Sequence, residues 1–132
     1  MMKKIVLVLF VGLLAFSVNA QDKKAKIEFK TTTVDYGKVV RGGDGVRAFE
    51  FTNTGNAPLI ISKVSSSCGC TIPKKPDGPI LPGKKGVIEV KYDTKRAAGP
   101  IRNVITVISN AETPTTVLKI KGELIEAKVA VQ

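Results

Sequence analysis

The 132-residue chain contains no histidine and no tryptophan, only two cysteines, and only two methionines, which open the chain as Met1 and Met2. Without histidine the usual general base and the commonest metal ligand are missing, and a thioether copper site has no methionine beyond Met2 to draw on. Paired carboxylates are the remaining route to acid–base catalysis. The acidic residues, among them Asp35, Glu50, Asp77, Glu89, Asp93 and Glu123, are spread singly along the chain and show no catalytic constellation. Helical spacing is also missing over any useful length, and after the first 20 residues no segment is apolar enough to span a bilayer.

What is present begins with a leader pattern. Met1-Met2-Lys3-Lys4 is basic, Ile5 to Phe16 is apolar, and Val18-Asn19-Ala20 offers the residues a signal peptidase reads. Residues 1–20 are therefore expected to be a secretory signal peptide cleaved after Ala20. No cysteine follows the cut, which argues against a lipid anchor. Removing Lys3 and Lys4 takes the net charge from +10 to +8, so the mature chain stays basic. In an exported protein that charge meets envelope components rather than nucleic acid. Lys63, Lys91, Lys119 and Lys121 fall on alternating positions, as a solvated sheet face requires.

From Ile27 onward apolar residues recur with period two between glycine and proline clusters, which predicts an all-β chain. Residues 21–33 lead into the domain, 34–124 form it, and 125–132 are a tail. Phe49-Glu50-Phe51 predicts two inward rings around an outward carboxylate, and Ile88, Val90, Tyr92, Leu118 and Ile120 are likewise inward. Val104, Ile105, Val107 and Ile108 place their strand centrally. Thr71 to Lys85, with Pro73, Pro76, Pro79 and Pro82, is expected to be a long crossing loop pinned by Ile80 and Leu81. About seven short strands with regular turn signals read as a two-sheet sandwich.

The stretch Asn53 to Thr71 joins a turn, a strand and both cysteines. Asn53, Gly55, Asn56 and Pro58 are turn formers, Leu59 to Val64 is strand-prone, and the run ends at Cys68-Gly69-Cys70. Residues two apart on a strand share a side, so the sulfurs can meet. Fully extended, their Cα atoms lie about 7 Å apart against a usual disulfide range of roughly 4.4 to 6.8 Å, and Gly69 is expected to let the backbone contract. Four uses are open: a minor structural disulfide, a reduced packed pair, a redox site, or a soft-metal site for copper or zinc with Cys68 and Cys70 as ligands. Zinc would need two further ligands. In the usual sandwich order the turns holding Arg41, Lys95 and Arg96 share a pole with the sulfurs, and these cations would favour thiolate.

The succession Asp35-Tyr36-Gly37, Phe49 to Gly55, Pro58 to Ile61, Ser67-Cys68-Gly69-Cys70-Thr71, Pro82-Gly83 and Ser109-Asn110-Ala111 resembles the bacterial domain-of-unknown-function family 1573. More distantly, the Asn-Thr-Gly turn is similar to immunoglobulin-like domains of the abnormal-spindle and hydin type, which share the fold of major sperm protein and periplasmic pilus chaperones. The resemblance implies an immunoglobulin-like antiparallel β-sandwich and an exported life. It assigns no activity and no site residues. The chain is thus expected to be an envelope binding or structural module without enzymatic activity, its partner a protein or other envelope component. The alternative is a periplasmic thiol or copper protein using Cys68 and Cys70.

Overall fold

A computed structural model describes residues 23–127. The expected signal peptide lies outside the described residues. Eight strands follow in order: β1 Ile27–Phe29, β2 Thr33–Val40, β3 Val46–Asn53, β4 Ile61–Ser66, β5 Thr71–Lys74, β6 Lys85–Tyr92, β7 Gly99–Ser109 and β8 Thr115–Ile125. One sheet has the order β1-β3-β6-β5 and the other β2-β8-β7-β4. Among the described residues there is no helix, and so none long and apolar enough to cross a membrane.

Period-two patterning decides which face of each strand is buried. In β3, Phe49, Phe51 and Asn53 turn inward, and in β6 Ile88, Val90 and Tyr92 do the same. The facing sheet supplies Ile101, Ile105 and Val107 from β7 and Leu118, Ile120 and Leu124 from β8. These side chains meet between the sheets as a single apolar core. Phe49 and Phe51 are central to it, Phe51 stacking at a tilt on Phe29 with ring centroids 5.5 Å apart. The lysines at 63, 91, 119 and 121 are exposed, as alternation requires.

Four differences from the sequence expectation have physical causes. The eighth strand is β5, inside the stretch expected to be loop. Its proline is tolerated because β5 is an edge: the Asp93 N–H donates to the Cys70 carbonyl (2.8 Å), so residues 70, 72 and 74 address β6 and Pro73 faces the free side. The sandwich is also not wholly antiparallel, since β2 runs parallel to β8. Parallel neighbours need a long connection, and here the five intervening strands provide it. Thirdly, Ile80 pins the loop through a bridge to Leu59, whereas Leu81 is exposed. Lastly, the alternating triplet Ile27-Glu28-Phe29, outside the expected bounds of 34–124, is β1 of the sandwich: it pairs with β3, and Phe29 packs on Phe51.

Candidate functional site

The turn after β3 is built on Asn53, whose side chain is buried and fully satisfied. Its Oδ1 accepts from the N–H groups of Gly55 (3.0 Å) and Lys26 (3.3 Å), and its Nδ2 donates to the carbonyls of Ala57 (2.8 Å) and Ile80 (2.9 Å). Three chain segments, around Lys26, the 53–57 turn and Ile80, are thereby fixed at one point. From there Leu59 and Ile61 enter the core, and β4 carries the chain along the edge of its sheet to Ser66.

Residues 67–70 cross from that sheet to the other, and the cysteines sit in this crossing. The two sulfurs are in bonding contact across a Cα–Cα separation of 5.2 Å, well short of the extended value. The contraction does not depend on glycine in the expected way. Gly69 has no positive φ, and a Cβ there would meet nothing within 4 Å. The turn is held by its neighbours: Ser66 Oγ donates to the Cys68 carbonyl (2.6 Å), and the Thr71 N–H donates to the same carbonyl (3.3 Å).

Each sulfur has its own donors. Cys68 Sγ accepts from the Cys70 N–H (3.1 Å) and lies 3.9 Å from Arg96 Nη1. Cys70 Sγ accepts from Asn103 Nδ2 (3.4 Å), with the Thr71 hydroxyl 3.8 Å away. Asn103 is buried on β7 and held at both ends, by Ser67 Oγ on its Oδ1 and by Thr71 Oγ1 on its Nδ2.

Of the three expected cations, only Arg96 touches a sulfur. Arg41 is turned elsewhere: Nε and Nη2 donate to the carbonyls of Arg96 (2.7 Å) and Lys95 (3.1 Å), and Nη1 pairs with Glu126 at 3.1 Å. It therefore shapes the loop that presents Arg96. Lys95 lines an open cleft of ≈ 560 Å³ beside Cys70, together with Gly69, Ile72, Lys91, Tyr92 and the 42–46 turn. Asn103 was not singled out from the sequence, although a signal existed. It is the polar residue in the inward series Ile101, Asn103, Ile105, Val107, and a buried polar side chain needs partners.

The floor of the cleft is anchored by Tyr36, whose hydroxyl donates to the Gly45 carbonyl (2.8 Å). Gly45 is required there, because a Cβ would lie 2.2 Å from the Tyr92 carbonyl oxygen. Burial pushes the Tyr36 phenol up to about 12, against a smaller lowering by the Arg47 guanidinium, which sits 4.4 Å from the ring centroid. The folded value exceeds the unfolded one near 10, so this contribution to stability is complete below pH 10 and is lost as pH rises through 12. Tyr36→Phe is expected to cost about 1 kcal/mol and to remove the late step from an ultraviolet phenolate titration. A titration unchanged by the substitution would refute the assignment.

The bond between Cys68 and Cys70 closes a ring over one residue, so it withdraws little entropy from the unfolded chain. Replacing both by serine is expected to lower stability by no more than about 1 kcal/mol in urea melts. A double variant that does not fold would make the pair a structural staple.

The family model described as "Protein of unknown function (DUF1573)" matches residues 27–124. The chain belongs to that family. Among solved structures, the DUF1573 domain is similar to a protein of unknown function from Porphyromonas gingivalis W83, at 23% identity and a TM-score of 0.70. That match covers 82% of this chain and 51% of the other, so this chain spans about half its length. The PapD-like domain 7 of human CEP192 matches at 13% identity and a TM-score of 0.65, covering 84% of this chain and 94% of that one. The E. coli chaperone DraB matches at 10% identity and a TM-score of 0.55, covering 81% and 58%. No curated protein matches. At these identities the likeness establishes the fold, and the immunoglobulin-like sandwich expected for DUF1573 is the fold found.

Proposed function

We propose that this protein is an exported binding module of the cell envelope, without enzymatic activity of its own. The observation that carries the reading is the cleft beside the cysteines. On its rim Ile72 is 66% exposed and Val46 38% exposed, and they flank Lys91 in one cross-strand row of β5, β6 and β3. Exposed branched residues on a sheet face cost solvation unless something covers them, and the neighbouring lysines favour a partner segment that is acidic as well as partly apolar. Chaperones among the structures of this fold are compatible with protein binding.

A photo-reactive residue at position 72 is expected to cross-link an envelope component in the producing cell. The same residue at Val117, which is exposed on the other sheet, should not. Equal yields from both positions would remove the cleft as the binding surface. Export is tested separately: the envelope form should begin at Gln21, and intact Met1 as the main cytoplasmic form would overturn it.

A second reading, thiol or soft-metal chemistry at Cys68 and Cys70, is favoured by the donors around the two sulfurs. For metal, no group of three or more Cys, Asp or Glu side chains stands together among the described residues. Copper or zinc would then take further ligands from another molecule. For thiol exchange, the chain supplies both sulfurs and their donors.

A further inference from the structure

We propose that Cys68 and Cys70 form a thiol–disulfide exchange site with distinct roles, in which Cys70 receives an incoming thiolate from the cleft and Cys68 departs as the stabilised thiolate. The inference rests on the second reading above and is independent of the binding module. It starts from an asymmetry between the sulfurs. Cys68 Sγ has a backbone N–H at 3.1 Å and the Arg96 guanidinium at 3.9 Å, a fixed dipole and a full positive charge, both of which favour an anion. Cys70 has only neutral donors, Asn103 Nδ2 and the Thr71 hydroxyl. Of the two cysteines, Cys70 is the one that lines the cleft.

The cleft suits an approaching anion. Lys91 and Lys95 line it, and its two carboxylates are each engaged by backbone, Asp44 accepting from the Val46 N–H (2.9 Å) and Asp93 from the Lys95 N–H (3.0 Å). Arg96 is steadied by the Tyr92 hydroxyl (3.5 Å) and by the loop that Arg41 clasps. Asn103 is a positioning residue. Because Ser67 and Thr71 hold its amide at both ends, it aims one N–H at Cys70 Sγ and orients that sulfur.

The exchange partner is a low-molecular-weight or protein thiol. Its thiolate attacks Cys70 Sγ, a new S–S bond forms, and the Cys68–Cys70 bond breaks with its electron pair passing to Cys68 Sγ. A second thiolate then attacks the partner's sulfur in the mixed disulfide. One partner disulfide is released and Cys70 leaves as a thiolate. The protein pair has gained two electrons and takes up protons from solvent as its pH dictates, while two thiols have been oxidised to one disulfide. Run backwards, the same steps oxidise the pair. Opening the bond costs the fold little, because a ring over one residue does little structural work.

The test uses the chain from Gln21 with glutathione as the probe. Quenched partial reduction followed by peptide mapping should find glutathione on Cys70. With each cysteine left alone by a serine substitution at the other, iodoacetamide should label Cys68 faster than Cys70 at pH 7. Arg96→Gln should slow labelling of Cys68 about two- to fivefold and leave Cys70 unchanged, as expected for removing one partly solvated charge. Arg96 is exposed at its contact with Cys68, so this variant should fold, with the urea midpoint as the check. Asn103→Ala should lower the rate of glutathione attack on Cys70 without altering labelling of Cys68. If that variant does not fold, the mapping and Arg96 arms still decide. Glutathione on Cys68, or labelling of Cys68 indifferent to Arg96→Gln, would overturn the proposal. Lost exchange with cross-linking at position 72 intact would remove this inference alone.

Discussion

Asn53→Leu is expected to cost about 3 to 5 kcal/mol, enough to leave the domain largely unfolded under mild denaturant. The side chain is 0% exposed and serves two N–H groups and two carbonyls. A leucine fills similar space but satisfies none of them, and each buried group left without a partner costs about 1 to 3 kcal/mol. The total stays below the simple sum because Ile80's carbonyl keeps its bond from the Leu59 N–H. Asn53→Asp separates shape from charge. It retains the oxygen that accepts from both N–H groups but points a carboxylate at the Ala57 and Ile80 carbonyls, so burial and repulsion raise its folded pKa above the unfolded value near 4. With a raised folded pKa, the Asp variant's relative stability is greatest below about pH 4 and falls as pH rises. Chemical denaturation of both variants at pH 4 and pH 7 checks this. An Asp variant as stable as the parent at neutral pH would show that the amide donors do not matter.

The second large effect is expected at the paired rings of β3. Phe49→Ala and Phe51→Ala should each cost about 3 to 5 kcal/mol, against a total stability of about 5 to 15 kcal/mol for a domain. Both rings are essentially unexposed. The space around Phe51 cannot easily refill, since its ring meets Gly86, where even a Cβ would lie 2.6 Å from Cζ. Glu50→Ala, between them in sequence, should change stability by under about 1 kcal/mol, because its contact is a surface pair with Lys85 at 3.5 Å. Urea melts of the three variants test the strand register directly. Equal losses at positions 49, 50 and 51 would mean that the alternation does not describe burial here.

The core was legible in the sequence because burial in a sheet is written with period two. Phe49, Phe51, Ile88, Val90, Leu118 and Ile120 all follow it. The short strand β5 was harder, since four residues carry little periodic signal and Pro73 argues against pairing until one knows that its strand is an edge. At the candidate site the meeting of the two sulfurs was legible from their spacing. Which cation approaches them was not, because Arg41 and Arg96 lie on neighbouring loops and the choice between them is made by local carbonyls. Asn103 escaped for a different reason. Its strand was read for its apolar residues, and an amide at an inward position gains meaning only once Ser67 and Thr71 are brought to it across the sandwich.

Pro73 on the open side of β5 has a consequence for crowding rather than for folding. A sheet edge with free N–H and C=O groups invites the edge of another molecule, and a domain at high local concentration would meet many copies of itself. The missing N–H at Pro73 removes one donor from that side, and the interruption of β2 pairing between Asp35 and Lys38 bends an edge of the second sheet. Strand addition along β5 is thus weakened at one position close to the cysteines. A neighbouring strand that docks on β5 would find no N–H at position 73, so contacts there fall more to side chains than to backbone.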